Sequence, residues 1–436
     1  MARVGVVICN YNKEDDVLDC IQSVLENKYQ DIDLYVVDNA STDGSVEKIV
    51  STYGDQDHMT LIVNDENLGG SGGFNTGLRE ALKHEHEFLM CVDNDAQLDE
   101  NCIGALVEHM DSDAETGIAA AKIYHLENSD AIQNYGSLIN WKEFTVESIF
   151  ANRQEDGSLP EVIYSDAVPA CALMIRTSVV EKIGLMPEEN FLYWDDTEWC
   201  VRCTMAGFQV ASVAKAQALH AMGAKNEKTN TFPTYYAWRN WLKFFLDHTP
   251  EHLLEQMAEV FLNSVFNLNY SCMYRNEPNV SHTVMAAVDD ALHGVYGKAG
   301  EARIFPVEKE YQGVNQILKG KERVLIRTNE FQLYANQVKE EILHEYPSLQ
   351  VQVLTPDEAA QNSEINHAQT AVIELCDTIF TVTDLSRKKY FMDLDGNVLI
   401  SEDDAISVMH YHAGRENFIF SHKPLFLQLA REIGKC

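Results

Sequence analysis

The chain has 436 residues, of which 68 are acidic and 33 basic, giving a formal net charge of −35 at pH 7. This charge argues against binding to bare nucleic acid and against purely electrostatic attachment to anionic lipid, because both repel it. Hydrophobic residues make up 45% of the chain, and no apolar run is long enough to span a bilayer. Since the N-terminus also lacks a secretory signal pattern, we expect a cytoplasmic protein of two or three domains.

The first 125 residues alternate strand and helix patterns. Short apolar runs predict strands at 4–9, 34–38, 61–64, 87–95 and 117–124. The segments between them carry apolar residues at helical spacing, and a glycine-rich loop precedes a helix that begins at about Phe74. This alternation predicts an α/β fold, with a parallel sheet covered by helices on both faces. Ligands of such sheets bind beyond the carboxyl ends of the strands.

The rest of the chain predicts two further parts. From Tyr235 to about Val295 the pattern turns helical. Beyond residue 306, short apolar runs alternate with helical stretches and predict strands at 323–328, 351–355, 371–375 and 378–383, in a small α/β domain. The segment FMDLDGNVL near the end predicts a strand, an Asp-Gly turn and a return strand. We therefore expect three parts, at 1–225, 226–305 and 306–436.

Polar residues follow each of the first three predicted strands. They are Asn10, Tyr11 and Asn12 after the first, Asp38 and Asn39 after the second, and Asn67, Gly69 and Gly70 in the stretch NLGGSGGFNTG after the third. A carboxylate at a strand end can accept a hydrogen bond from a base or a ribose, and glycines let the backbone approach a phosphate. The stretch is neither a Walker A motif nor a GxGxxG motif. A flexible turn is the competing interpretation of the glycines.

The fourth predicted strand ends in Asp93-Asn94-Asp95. Two carboxylates on alternate strand positions point the same way. Hard oxygen ligands of this kind suit Mg²⁺ or Mn²⁺ beside a diphosphate. A polar turn at the strand end would explain the same acids without a metal.

Taken in order, the stretches VVICNYN, VVDNASTDGS, NLGGSGGFNTGL and CVDNDAQLD resemble the inverting family 2 glycosyltransferases, which have the GT-A fold. The resemblance covers roughly residues 3–225 and continues more weakly to about 300. It implies that the first three stretches, with Lys13 beside them, hold a nucleoside diphosphate sugar. It also implies that Asp93 and Asn94 contact the nucleotide, and that a divalent metal, Mn²⁺ or Mg²⁺, is bound by Asp93, Asp95 and His220.

The stretch NFLYWDDTEWCVRC at 190–203 stands where this family carries an acidic motif beside the acceptor. Its WDDTE form is similar to that of bacterial galactofuranosyltransferases. The resemblance implies Asp196 as general base, with Trp194, Asp195 and Glu198 in the acceptor pocket. Without any chemistry, the same acids would be explained by a helix whose N-cap is Asp195 or Asp196.

The resemblance therefore implies a metal-dependent inverting enzyme that moves galactofuranose from UDP-galactofuranose to a hydroxyl of a bacterial cell-surface glycan. A carboxylate would take the proton of the acceptor hydroxyl, and the metal would offset charge on the departing UDP. Two alternatives stay open: a rhamnosyltransferase that uses dTDP-rhamnose, and a subunit that binds sugar nucleotides without turnover. A nucleotidyltransferase is disfavoured because the glycine stretch is not a basic triphosphate-binding loop.

The implied partners are a UDP-sugar donor and a glycan or lipid-linked glycan acceptor, with no nucleic acid. Peripheral association with the inner face of the cell membrane and homo-oligomer formation are compatible with the sequence. The stretch YYAWRNWLKF at 235–244 predicts an aromatic core helix, in which Arg239 is a candidate contact of donor or acceptor. The part at 306–436 lies outside the resemblance, and we expect it to hold a partner or to support oligomerisation.

Overall fold

The structure is a computed structural model that describes residues 2–221, 231–307, 313–354, 368–382, 389–399 and 404–433. It divides into two compact units. The first comprises Met1–Met257, Ala286–Ile304 and Leu429–Cys436, and the second comprises Ala258–Met285 and Phe305–Gln428. Among the described helices, none combines the length and apolar character that crossing a membrane requires.

The described residues of the first unit form twelve strands and most of the described helices. The strands are β1 (Val4–Asn10), β2 (Ile32–Asp38), β3 (Met59–Val63), β4 (Phe88–Asp93), β5 (Ala96–Leu98), β6 (Thr116–His125), β7 (Asn128–Asn134), β8 (Ser137–Asn140), β9 (Thr145–Ser148), β10 (Val162–Ser165), β11 (Ala172–Arg176) and β12 (Gln209–His220). The helices are α1 (Asp16–Leu25), α2 (Ser45–Tyr53), α3 (Gly69–Ala81), α4 (Cys102–Ser112), α5 (Thr177–Ile183), α6 (Asp195–Met205) and α7 (Phe232–His248). Two more, α8 (Leu254–Arg275) and α9 (Pro278–Leu292), contribute residues to both units.

Ten of these strands form one sheet in the order β10-β12-β6-β11-β4-β1-β2-β3, with β5 paired to β12 and β7 to β6. The four strands β3, β2, β1 and β4 are parallel, as predicted. Beyond these four strands the sheet is mixed, because β11 runs antiparallel between β4 and β6. The pairs Asn10–Asp38 and Cys9–Asp93 bring the carboxyl ends of β2, β1 and β4 to one edge.

Apolar helix faces cover both sides of this sheet. Residues of α1, α2 and α4, such as Ile21, Ile49 and Leu106, pack in the core on one face. Residues of α3, α5 and α6, such as Leu78 and Trp199, pack in the core on the other. Strands that are buried on both faces read as continuous apolar runs, which is why they were recognisable in the sequence.

The glycine-rich stretch differs from the predicted loop, because α3 already begins at Gly69. Its later glycines face the sheet. A methyl group built on Gly73 would lie 2.2 Å from Sγ of Cys9, and one on Gly77 would lie 2.3 Å from Cγ1 of Val7. The glycines therefore let the helix approach β1 more closely than any other residue would.

The second unit contains a smaller α/β sheet, as predicted. Its described elements are α10 (Gly313–Leu318), β13 (Arg323–Arg327), α11 (Gln332–Glu345), β14 (Gln350–Leu354), β15 (Thr370–Cys376), β16 (Tyr390–Asp393), β17 (Val398–Leu399) and most of α12 (Asp404–Ile433). The end of α12, from Leu429, belongs to the first unit. The strand order is β14-β13-β15-β16-β17, parallel except for the last pair. This last pair is the predicted strand, turn and return strand.

The predicted strand at 378–383 is wrong over its described part. Ile379–Thr381 form a turn of 3₁₀ helix, and residue 383 lies outside the described residues. The N–H of Ile379 donates to the buried carboxylate of Asp393, and the N–H of Phe380 donates to the side chain of Thr378. These side chains take the backbone donors that a strand would need, while burial of Ile379 and Phe380 explains the apolar pattern.

We expect Gly77→Ala to lower the free energy of unfolding by about 1–3 kcal/mol, because its methyl group overpacks the contact with Val7. Gly104→Ala is the matched control on α4. There the nearest atom to the new methyl group would be Cβ of Tyr29 at 3.7 Å, an ordinary contact. This control should raise stability by about 0.5–1 kcal/mol through helix propensity. Denaturant titrations of both variants test the prediction, and equal stabilities would contradict it.

Candidate active site

The carboxyl end of β4 and the end of β12 meet in a small polar cluster. Asp93 ends β4, and His220 pairs with Ala96 across β12 and β5. One ligand atom from each of Asp93, Asp95 and His220 lies within 4.8 Å of the others. Nε2 of His220 is 3.2 Å from Oδ1 of Asp95 and 3.6 Å from Oδ2 of Asp93. The fold therefore brings together the three residues predicted to bind a metal.

The orientation of His220 is fixed by Gln133, which the sequence analysis missed. Nδ1 of His220 is 2.7 Å from Oε1 of Gln133, whose Nε2 donates to the backbone oxygen of His220 at 3.2 Å. Because an amide oxygen can only accept, Nδ1 carries a proton and Nε2 faces the two carboxylates. A second partner that holds a histidine in this way is typical of metal sites. The sequence carries no local signal for it, since Gln133 and His220 are 87 residues apart.

Burial and charge shape the titration of this cluster. Burial raises the pKa of Asp93 to about 6, with His220 opposing the rise and Asp95 adding to it. Burial also acts to raise the pKa of Asp95, but the hydrogen bond to His220 and the charge of Lys13 lower it overall. Two crowded carboxylates and an oriented imidazole fit a divalent cation such as Mn²⁺ or Mg²⁺, whose charge would relieve their repulsion.

A second network joins the ends of β1, β2 and β4. Nδ2 of Asn94 donates to Oδ1 of Asn10 at 2.9 Å, and Nδ2 of Asn10 donates to Oδ2 of Asp38 at 3.0 Å. Asp38 is fully buried, and its Oδ1 accepts from the N–H of Ser41 at 2.9 Å. Three of the predicted nucleotide contacts are thus bonded to one another, with Asp38 bonded through both oxygens.

The remaining predicted nucleotide contacts lie nearer the surface or in the turn before α3. Tyr11 is 43% exposed. Nζ of Lys13 is 3.0 Å from Oδ2 of Asp16 and 3.6 Å from Oδ2 of Asp95. Lys13 therefore borders the candidate metal cluster, which is formed by Asp93, Asp95 and His220.

Asn39 organises residues 67–70, the turn that leads into α3 together with the first two residues of that helix, and sequence reasoning did not predict this role. Its Nδ2 donates to the backbone oxygen of Gly69 at 2.9 Å and to Oδ1 of Asn67 at 3.2 Å. The N–H of Gly69 donates to the same Asn67 oxygen at 2.8 Å. The N–H of Gly70 donates to the backbone oxygen of Phe191 at 2.7 Å, which links this turn to the segment before α6.

The adjacent acids Asp195 and Asp196 stand in the first turn of α6. The prediction that one of them caps the helix is wrong, because Trp194 is the N-cap residue, in a left-handed conformation and without a side-chain cap bond. Acids in a first turn still interact favourably with the helix dipole. Oδ1 of Asp196 accepts from the N–H of Thr197 at 2.6 Å, and its Oδ2 accepts from the N–H of Ala170 at 3.3 Å.

Both acids of this pair hold protons more tightly than ordinary aspartates. Burial, followed by repulsion from Asp196, raises the pKa of Asp195 to about 7, and burial raises that of Asp196. The charge of Asp93 also contributes to the pKa of Asp195. Oδ2 of Asp195 lies 3.8 Å from where a methyl group on Gly70 would stand. Asp195 therefore lies beside Gly70, and the charges of both acids of the pair interact with that of Asp93.

The other two predicted acceptor residues contact α7. The ring of Trp194 lies 5.2 Å from that of Phe244 and 5.8 Å from that of Phe245, centroid to centroid. Oε2 of Glu198 is 2.6 Å from Nε2 of His248, and both side chains are mostly buried. These contacts join α6 to α7.

Comparisons with known proteins bear on the class of protein to which this chain is similar. The sequence profile of glycosyl transferase family 2 matches residues 5–183. The dTDP-rhamnosyl transferase RfbF of Shigella flexneri is 26% identical over 306 residues, which are 68% of this chain and 97% of that protein. The UDP-Glc:alpha-D-GlcNAc-diphosphoundecaprenol beta-1,3-glucosyltransferase WfaP of Escherichia coli is 21% identical over 238 residues, which are 54% of this chain and 77% of that protein.

A crystal structure of S. aureus TarS 1–349 in complex with UDP-GlcNAc covers 68% of this chain and 82% of its own, with 16% identity and a TM-score of 0.44. Because the identity and the TM-score are low, this structural similarity gives no information about the donor or the metal of this chain. The mixed sheet, the acids at its strand ends and the family profile make the chain a glycosyltransferase with a GT-A-type fold. The match to the profile of glycosyl transferase family 2 lies within residues 5–183.

We expect Mn²⁺ to raise the melting temperature of the protein, because a ligand that binds only the folded state adds about 2.7 kcal/mol at 100 times its Kd. His220→Ala should abolish this shift, and Gln133→Leu should weaken Mn²⁺ binding about 10–100-fold by freeing the imidazole. His58→Ala is the control, since His58 lies 3.0 Å from Asp33 in an exposed pair. Titration with Mn²⁺, followed by the melting temperature, tests the wild-type protein and the three variants. A full Mn²⁺ shift in His220→Ala would contradict the metal assignment.

Proposed function

We propose that the chain is a metal-dependent inverting glycosyltransferase in which Asp196 is the general base. The observation that carries the proposal is that two consecutive backbone residues contact both groups: the N–H of Ala170 donates to Asp196, and the backbone oxygen of Cys171 accepts from the N–H of Asp93. The charges of the two groups also interact. Asp196 contributes to the pKa of Asp93, and Asp93 contributes to that of Asp195. The leaving diphosphate needs a cation, and the acceptor hydroxyl needs a base. Both must be present in the same pocket.

Asp196 is the better candidate base of the two acids. Two backbone N–H groups hold its carboxylate in one orientation, which a base needs in order to meet the acceptor hydroxyl repeatedly in the same geometry. Burial raises its pKa, which increases its affinity for a proton. Asp195 has its own role in this scheme, because its negative charge would raise the proton affinity of Asp196 further.

In the proposed reaction the acceptor oxygen attacks the anomeric carbon as its proton passes to Asp196. The bond between that carbon and the diphosphate oxygen breaks, and the nucleoside diphosphate leaves with the electron pair. Attack from the face opposite the leaving group inverts the anomeric centre. A divalent cation held by Asp93, Asp95 and His220 would supply positive charge near the leaving diphosphate.

The proposed donor is UDP-galactofuranose, on the basis of the WDDTE form at 194–198. A second candidate is dTDP-rhamnose, which is favoured by similarity across 97% of the rhamnosyl transferase RfbF. The acceptor would be a hydroxyl of a bacterial cell-surface glycan. A lipid-linked glycan is consistent with the diphosphoundecaprenol-linked acceptor in the name of WfaP, and it would bring the protein to the inner face of the membrane.

Asp196→Asn should lower kcat by about 10²–10⁴-fold, because an amide cannot accept the acceptor proton. Binding of UDP should be unchanged, since the shape of the site is kept. Asp111→Asn is the control, because Asp111 is an acid that pairs with Arg3 outside this site. Kinetics of sugar transfer and calorimetry of UDP binding test the two expectations. Transfer at the wild-type rate by Asp196→Asn would refute the base assignment.

We expect one sugar nucleotide among UDP-galactofuranose, UDP-galactopyranose, UDP-glucose and dTDP-rhamnose to be turned over, and EDTA to stop the reaction, because the leaving diphosphate would lose its counter-charge. The measurement is the rate at which UDP or dTDP is released in the presence of Mn²⁺, Mg²⁺ or EDTA. If dTDP-rhamnose were the one donor turned over, the proposed donor would have to be changed from UDP-galactofuranose to dTDP-rhamnose. Turnover unaffected by EDTA would contradict the metal requirement, and failure to bind any nucleotide would contradict the donor site.

A further inference from the structure

The segment that leads into the acid pair has an unusual backbone. Phe191, Tyr193 and Trp194 have φ values of 63°, 65° and 67°, although none of them is glycine. Side chains with a Cβ rarely adopt this left-handed region, and it persists only where the surroundings impose it. Since Trp194 directly precedes Asp195 and Asp196, the conformation of this segment decides where the two carboxylates stand.

Two buried residues of α7 hold the segment by its carbonyl groups. The amide nitrogen of Asn240 lies 2.8 Å from the backbone oxygen of Asn190, 2.7 Å from that of Leu192 and 3.2 Å from that of Tyr193. Asn240 is fully buried. The side chain of Asn240 thus donates hydrogen bonds to backbone oxygens along the segment that contains the left-handed residues.

Arg239 completes this arrangement. Its Nη2 donates to the backbone oxygen of Asn190 at 2.8 Å, its Nη1 donates to that of Gly297 at 2.6 Å, and its Nε donates to Oδ1 of Asn240 at 2.9 Å. The last bond orients the amide of Asn240. Because Arg239 is fully buried and its fork is turned to backbone oxygens, it is not available to contact the donor or acceptor as the sequence had suggested.

The same segment also touches the turn before α3. The backbone oxygen of Phe191 accepts from the N–H of Gly70, and a methyl group on Gly69 would lie 2.0 Å from that oxygen. The ring of Phe191 stacks on that of Tyr236 at 5.0 Å, centroid to centroid. The segment 190–194 is therefore fixed between α7, the turn before α3 and the acid pair.

Building on the proposed function, we propose that Arg239 and Asn240 are positioning residues for the acid pair. They touch neither donor nor acceptor. They hold the carbonyls of 190–193 so that Asp195 and Asp196 keep their position relative to Gly70, and thereby to the donor. Their loss would leave donor binding intact and would displace the base from the acceptor hydroxyl.

The test compares Asn240→Asp and Arg239→Lys with two matched controls. Asn240→Asp keeps the shape of the side chain and the acceptor for Arg239 but removes the N–H donors. Asn27→Asp is its control, because Asn27 is also fully buried and donates to the backbone oxygen of Asp99 at 2.8 Å. Arg176→Lys is the control for Arg239→Lys, because Arg176 also donates to backbone oxygens, those of Thr116, Met110 and Asp113.

Kinetics of sugar transfer separate positioning from simple stabilisation. We expect kcat to fall about 100-fold in both α7 variants with an unchanged donor KM, since a displacement near 1 Å has about this effect on a reaction. The controls should lose thermal stability to a similar extent but keep kcat. Wild-type kcat in the folded α7 variants, or an equal loss of kcat in the controls, would overturn the proposal.

Amide hydrogen exchange supplies a readout that does not depend on activity. The N–H of Gly70 should exchange faster in Asn240→Asp and Arg239→Lys than in the controls, because the carbonyl of Phe191 to which it is bonded moves. Unchanged exchange at Gly70 would overturn the proposal even if the wild-type protein transferred no sugar. Absence of transfer by the wild-type protein, with faster exchange in the α7 variants, would reject the proposed function and keep the positioning role of Arg239 and Asn240.

Discussion

Parallel pairing of β1 with both β2 and β4 is the constraint on which the site depends. It sets the ends of three strands side by side, so that Asn10, Asp38 and Asn94 bond to one another across segments distant in sequence. The register also fixes Asp93 and the turn that carries Asp95. A slip of one residue in either pairing would turn these side chains to the opposite face of the sheet.

The site concentrates negative charge in a protein that is already strongly acidic. Burial acts to raise the pKa of Asp93, Asp95, Asp195 and Asp196, and only at Asp95 do His220 and Lys13 outweigh it and lower the pKa overall. Buried carboxylates of this kind cost stability unless a cation or a proton compensates them. The proposed function accounts for this arrangement, because it would bring a cation to one end of the site and a transferable proton to the other.

The helix α7 shows how a part of the chain outside the family match supports the site. Its aromatic residues pack against Trp194, and Glu198 bonds to His248 near its end. Arg239 and Asn240 reach the backbone of the segment before α6. In the second unit, Asp393 has a comparable structural role, since its carboxylate accepts from the backbone N–H groups of Ile379 and Asn397.

The resemblance to family 2 glycosyltransferases pointed to Asp93, Asp95 and His220. The sequence by itself determined the parallel strands, the order of the polar strand ends and the smaller α/β sheet. These are local patterns, because apolar runs and the residues that follow them depend on neighbours along the chain. Only the tertiary structure decided that β11 enters antiparallel, that α3 begins within the glycines, and that Trp194 rather than an acid precedes α6 as its cap. It also decided the partners Gln133, Asn39 and Asn240, whose bonds join residues 87, 30 and 48 positions apart. Such bonds form only when packing brings separate segments together, and no local pattern in the sequence encodes them.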